Sequence, residues 1–144
     1  MARGLHRGRR SRIAAERIRL AAQPKRTKYR HGALDLTVPA DAADHPITRG
    51  VRTLKLVDET YWPMIGDVAD VSVLATAEEE GQPRPMLWTF EKGRGRVFGS
   101  VLGHYSWTLA DPLFRALVLR GTAWAAREDE RRFEALATHD MPRE

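Results

Sequence analysis

The run from Gly93 to Ala126, GRGRVFGSVLGHYSWTLADPLFRALVLRGTAWAA, constrains the fold more than any other stretch of the chain. Val97, Phe98, Val101 and Leu102 form a short apolar, β-branched block with small residues interleaved. It is bounded upstream by Gly93 and Gly95, the pattern of a buried strand. Leu113, Phe114, Leu117, Val118, Ala123 and Trp124 then recur at spacings of three and four. Asp111 stands as their cap and Pro112 at the first helical position, so an amphipathic helix follows. His104 falls between the two, after a strand and before a helix. Ligands of open α/β sheets bind at the carboxyl ends of strands, which makes His104 the first candidate site residue.

The segments before this run also read mainly as strands. Leu34, Leu36 and Val38 alternate with Asp35 and Thr37, a half-buried strand ended by Pro39. The loop ADAADHPITRG has turns at Pro46 and Gly50. Thr53 to Val57 reads as the next strand, ending in the acidic pair Asp58 and Glu59 and followed by Tyr61 and Trp62. Val71 to Thr76 is the most apolar β-branched run, with an exposed acidic turn expected at Glu78, Glu79, Glu80 and Gly81. A strand at Met86 to Phe90 and a turn at Glu91 to Gly95 lead into the Val97 strand as a hairpin. No internal repeat is present. At 144 residues and 42% hydrophobic content the chain is the size of one ordinary domain with a real core.

Charge is divided unevenly. Residues 1–30 carry eleven Lys and Arg against the single acid Glu16, whereas the remaining residues carry thirteen against eighteen, so the net +5 averages a basic arm and an acidic body. An Arg-rich arm can bind phosphate by counterion release. This one has no aromatic residue before Tyr29 and no recognised nucleic-acid-binding pattern, so nucleic acid is not the expected partner. Ile13, Ile18 and Leu20 with neighbouring alanines support at most a short helix, stopped by Pro24. No apolar run suits a membrane span or a signal peptide, which makes the cytoplasm the default location. With no cysteine, disulfides, thiolate metal sites and cysteine nucleophiles drop out.

Several ordered motifs are similar to the carboxy-terminal half of the ThuA-like (trehalose utilisation) domain family: KYRHG at Lys28 to Gly32, DHPITRG at Asp44 to Gly50, DETYW at Asp58 to Trp62, VLATA at Val73 to Ala77, PMLWTFEKGRGRVFGSVLGH at Pro85 to His104, and the helix DPLFRALVLRGTAWAA. The resemblance implies an α/β fold with a partial flavodoxin-like, class I glutamine amidotransferase-like sheet, and a link to sugar catabolism. It divides the chain into a basic leader over 1–27, disordered or helical, a partial ThuA-like domain over 28–126 and a charged, exposed tail over 127–144. Elements that open such a domain are replaced by the leader, so a truncated member is expected, with an uncovered parallel sheet prone to self-association. Lacking cysteine, the chain is not a working glutaminase.

Within this frame the expected ligand is a sugar or a sugar derivative, bound in a cleft at strand ends. His104 is assigned as acid–base or orienting group and Glu59 as its carboxylate partner, since neighbours on a strand face opposite ways and only one of Asp58 and Glu59 enters a pocket. Asp58 is expected to cap the turn that follows it. The family resemblance brings His31 to the same cleft. Tyr61, Tyr105 and Trp107 are candidate sugar-facing aromatics, while Trp88 and Trp124 fit the core. His45 precedes Pro46 and shapes a turn. His31, Glu59 and His104 have ligand chemistry suited to a transition metal, but no spacing motif demands one, so no metal or cofactor is assigned. The alternative is a non-catalytic binding or structural remnant, contacting nucleic acid through the arm.

Overall fold

The computed structural model describes residues 17–138. Five strands, β1 (Lys28–Thr37), β2 (Thr53–Trp62), β3 (Ser72–Glu79), β4 (Gln82–Lys92) and β5 (Gly95–Ser100), form one sheet in the order β2-β1-β3-β4-β5. Two helices follow, a single turn α1 (Ser106–Ala110) and α2 (Pro112–Ala125). The chain is therefore α/β in content, as its sequence pattern requires. Pairing within the sheet corrects the expected parallel arrangement: every pair is antiparallel. For β3–β4 and β4–β5 the cause is loop length. Glu79 pairs with Gln82 and Lys92 with Gly95 across two-residue turns, far too short for the crossover that parallel neighbours need.

The sheet has two unequal parts. β1 and β2 form a ten-pair ribbon from Lys28↔Trp62 to Thr37↔Thr53, and β3, β4 and β5 form a meander. Thr37↔Thr76 is the pair that joins them. Each strand of the ribbon has one apolar face. Leu34, Leu36, Leu56 and Trp62 are buried on it, together with Asp58 and Thr60, whereas Tyr29, Ala33, Asp35, Lys55 and Val57 are exposed on the other. Leu74, Met86 and Leu87 of the meander meet Phe114, Leu117 and Trp124 of α2 in the main core. Each fully buried side chain of this kind contributes roughly 1.5–3 kcal/mol.

α2 begins as its sequence predicts. The Asp111 carboxylate accepts from the backbone N–H groups of Leu113 and Phe114 at 3.0 and 2.8 Å, with Pro112 at the first helical position. The helix sits so close to β5 that a Cβ on Gly121 would lie 2.4 Å from the Phe98 ring, so only glycine fits there. The DHPITRG segment is a turn, as expected: Ile47 N–H donates to His45 Nδ1 at 3.2 Å, and Ile47, Thr48 and Val51 are buried.

Packing extends beyond the boundaries read from the sequence. Leu20 is fully buried, Ala21 bridges to Ile65, and the Trp88 indole donates to the Ile18 carbonyl at 2.9 Å, so the body takes in residues ahead of Lys28. The rest of the basic leader, up to residue 16, lies outside the described residues. At the other end, the tail expected to be exposed folds back in part. Arg120 of α2 pairs with Glu134 at 2.8 Å and Ala137 is buried; residues 139–144 are not described. Among the described residues no helix is long and apolar enough to cross a membrane.

Candidate functional site

The exposed face of the β1–β2 ribbon becomes polar and partly covered near its open end. His31 and Glu59 are directly opposite in the register, as are Tyr29 and Tyr61 two residues away, so all four project from that face. β2 is an edge strand, and the segment after β5 wraps its free edge. Trp107 Nε1–H donates to the Val57 carbonyl at 2.8 Å, and the backbone N–H groups of Gly103 and His104 donate to Asp58 at 2.7 and 3.1 Å. Gly103 has φ +113, a conformation that L side chains rarely adopt. It turns the chain so that the His104 ring reaches over Glu59.

Glu59 is the centre of the cluster and is only 5% exposed. Its Oε2 lies 2.7 Å from His104 Nδ1 and accepts from the Tyr61 hydroxyl; its Oε1 lies 3.3 Å from His31 Nε2. The Tyr105 hydroxyl bonds His31 Nδ1. Burial, and then the Glu59 carboxylate, push the Tyr61 phenol up to about 12, so it remains a donor. The two imidazoles meet edge to face, with centroids 5.5 Å apart, and are open to solvent, at 46% and 45% side-chain exposure. Tyr105 stacks on Trp107 at 4.2 Å with planes 13° apart, and the Trp107 side of the pair is exposed. A half-open cup results, with a buried anion at its floor, two imidazoles on its walls and an aromatic pair on its rim.

The predicted site residues His31, Glu59, Tyr61, His104, Tyr105 and Trp107 thus lie together. Their setting differs from the one expected. Asp58 and Glu59 do not end a strand; β2 runs on to Trp62, and the cluster sits on the face of a ribbon rather than in a crevice at strand carboxyl ends. Asp58 does not cap a following turn, because the strand continues past it; it holds the distant backbone of Gly103 and His104 instead. Sequence reasoning missed Glu79, which was placed in an exposed turn. It is 4% exposed and gripped by Arg30 Nη2 at 2.6 Å and Nε at 3.0 Å, with Thr60 Oγ1–H donating at 2.6 Å. Burial alternates along Ala77, Glu78, Glu79 and Glu80, but three successive glutamates show no alternation of residue type, so the sequence carries no local signal for it. Trp62 is buried on the core face and faces away from the cup.

An α/β chain with a His–Glu–His cup on an antiparallel ribbon is the class that fold and site define. Residues 4–125 match the family model of ThuA, trehalose utilisation. The chain belongs to that family. The match reaches back through most of the basic leader. Among solved structures, a ThuA-like protein from Parabacteroides merdae is 26% identical with a TM-score of 0.57, over 74% of this chain and 42% of that one. The chain therefore spans about two-fifths of the length of this structural neighbour. No curated protein matches it in sequence.

Proposed function

We propose that the cup binds a sugar or a sugar derivative and carries out acid–base chemistry on it, with His104 and Glu59 as the acting pair. The observation that carries this reading is the buried Glu59 carboxylate held against His104 Nδ1 in a site open to solvent. A carboxylate on one ring nitrogen fixes the tautomer, keeps the proton on Nδ1 and directs Nε2 outward as the proton acceptor. When Nε2 takes a proton from a substrate hydroxyl, Glu59 stabilises the imidazolium that forms. His31, oriented by Tyr105, supplies a second polar wall, and the exposed Trp107 offers an apolar surface on which a sugar ring can pack. The trehalose description of the family supports the choice of ligand class.

The test is titration of the purified chain with trehalose, followed by saturation-transfer NMR or calorimetry. Binding by the wild type and its loss in His104→Ala, with an unchanged circular dichroism spectrum, is the expected result. Equal binding by the variant removes His104 from the site.

A further inference from the structure

Three side chains of the cup have a property that the acid–base reading does not use. One ligand atom from each of His31, Glu59 and His104 can be chosen so that all lie within 4.8 Å of one another. Bond lengths to a zinc-like ion of roughly 2.0–2.2 Å place two ligands of one ion no more than about 4.3 Å apart, so small rotations bring the set into range. The histidines are half exposed and free to make them, while Glu59 is fixed by burial and by Tyr61.

We propose that His31, Glu59 and His104 bind a divalent first-row transition-metal ion, through His31 Nε2, the Glu59 carboxylate and His104 Nδ1, which would release to solvent the proton it holds toward Glu59 in the acid–base reading and leave Nε2 protonated, so the two roles are alternatives for His104. Two imidazole nitrogens and one carboxylate oxygen suit zinc, iron(II), cobalt or nickel and are a poor set for magnesium or calcium, which prefer oxygen throughout. Three protein ligands leave coordination positions open, the arrangement of a reactive rather than a structural centre. Support comes from outside the three ligands. The Tyr105 hydroxyl occupies His31 Nδ1 and so directs Nε2 inward, the role that outer-shell partners take around metal-bound histidine. The charge balance points the same way. Glu59 is a buried carboxylate whose partners are two histidines and a tyrosine; none is a permanent cation, and a divalent ion would supply the missing positive charge. Both imidazoles are open to solvent, so adjacent hydroxyl oxygens of a sugar could complete the coordination from that side.

The inference shares its residues with the sugar reading but does not depend on a sugar. The experiment is calorimetric titration of the chelator-treated full chain with Zn2+, with Co2+ as a visible-absorption reporter of coordination. One equivalent is expected to bind. His31→Ala and His104→Ala, both at half-exposed positions and checked by circular dichroism, should each weaken binding by about tenfold or more. Glu59→Gln, which preserves the side-chain shape, should do the same, and His45→Gln should leave affinity unchanged. Failure of the wild type to bind stoichiometrically, or equal binding by all three cluster variants, overturns the proposal. Metal binding without trehalose binding keeps this inference and removes the sugar reading; trehalose binding by a chain that takes no metal does the reverse.

Discussion

Two glutamates, Glu59 on β2 and Glu79 on β3, are almost equally buried, at 5% and 4% exposure, yet their surroundings are opposite in kind. Glu79 is closed off: Arg30 supplies a two-pronged guanidinium, Thr60 fills a remaining lone pair, and the neighbouring Glu80 binds Lys28 at 2.6 Å and the Trp62 indole at 3.1 Å. Together these contacts latch the β3–β4 turn to the open end of the ribbon. Glu59 is met by groups that can gain or give a proton and that stand in contact with solvent. A carboxylate paired with arginine is committed to structure, and one paired with histidines is left available for chemistry. Cross-strand register makes the division sharp. Arg30 opposes Thr60 and His31 opposes Glu59, so adjacent residues of the same two strands serve a clamp on one face and a cup on the other.

Breaking the clamp should have the largest effect. Arg30→Ala leaves Glu79 buried without its cation and is expected to cost about 2–3 kcal/mol in urea unfolding. That is less than the roughly 3–5 typical of a fully buried pair, because the Arg30 side chain is 40% exposed. The same carboxylate should govern the acid limb. Burial alone would raise the Glu79 pKa, but the Arg30 and Thr60 hydrogen bonds outweigh it, and the folded value lies below the ordinary 4.5. On acidification the unfolded chain therefore protonates at this residue first. Stability should begin to fall as pH drops through about 4.5 and continue falling to the folded value; Glu79→Gln should flatten that limb.

Next in size is Gly103→Ala, which forces φ +113 on an L residue and is expected to cost about 1–2 kcal/mol; it should also move His104 off Glu59, visible as a change in the His104 ring chemical shifts. Glu59→Gln should change stability by less than about 1 kcal/mol, since no permanent cation is orphaned, while abolishing ligand binding. A large loss of stability would show that Glu59 is a second clamp. The smallest effect is expected for Tyr105→Phe, about 0.5 kcal/mol or less at an exposed hydrogen bond, with a measurable loss of order in the His31 ring by NMR relaxation.

Local chemistry explains which parts of this arrangement could be read in advance. Asp111 and Pro112 announce α2, and the glycine-bearing turn after Lys92 announces the β4–β5 hairpin, because capping and turn signals act over a few residues. Asp58 and Glu59 read as a strand end because carboxylates are disfavoured in strands. Their place within β2 depends on partners elsewhere in the chain: Gly103 and His104 for Asp58, His31 and His104 for Glu59. His104 and Glu59 read as candidates from their place after a strand and His31 only through the family resemblance; that the three meet on a ribbon face rests on a register that no local pattern encodes. Glu79 was missed for the same reason, since Arg30 stands 49 positions away. Ala137 and Glu134 likewise gain their burial and pairing from α2, against the high charge density of their own segment.

Asp58 has one further consequence. The ribbon and the meander meet through the Thr37↔Thr76 pair, whereas His104 arrives from the meander side, downstream of β5. By holding the backbone of Gly103 and His104, Asp58 transfers that segment to the ribbon and makes it cargo of β2. The place of His104 over Glu59 is thereby set by β2, while Val101, bonded to the Met86 carbonyl, and the buried Leu102 anchor the start of the same segment to the meander.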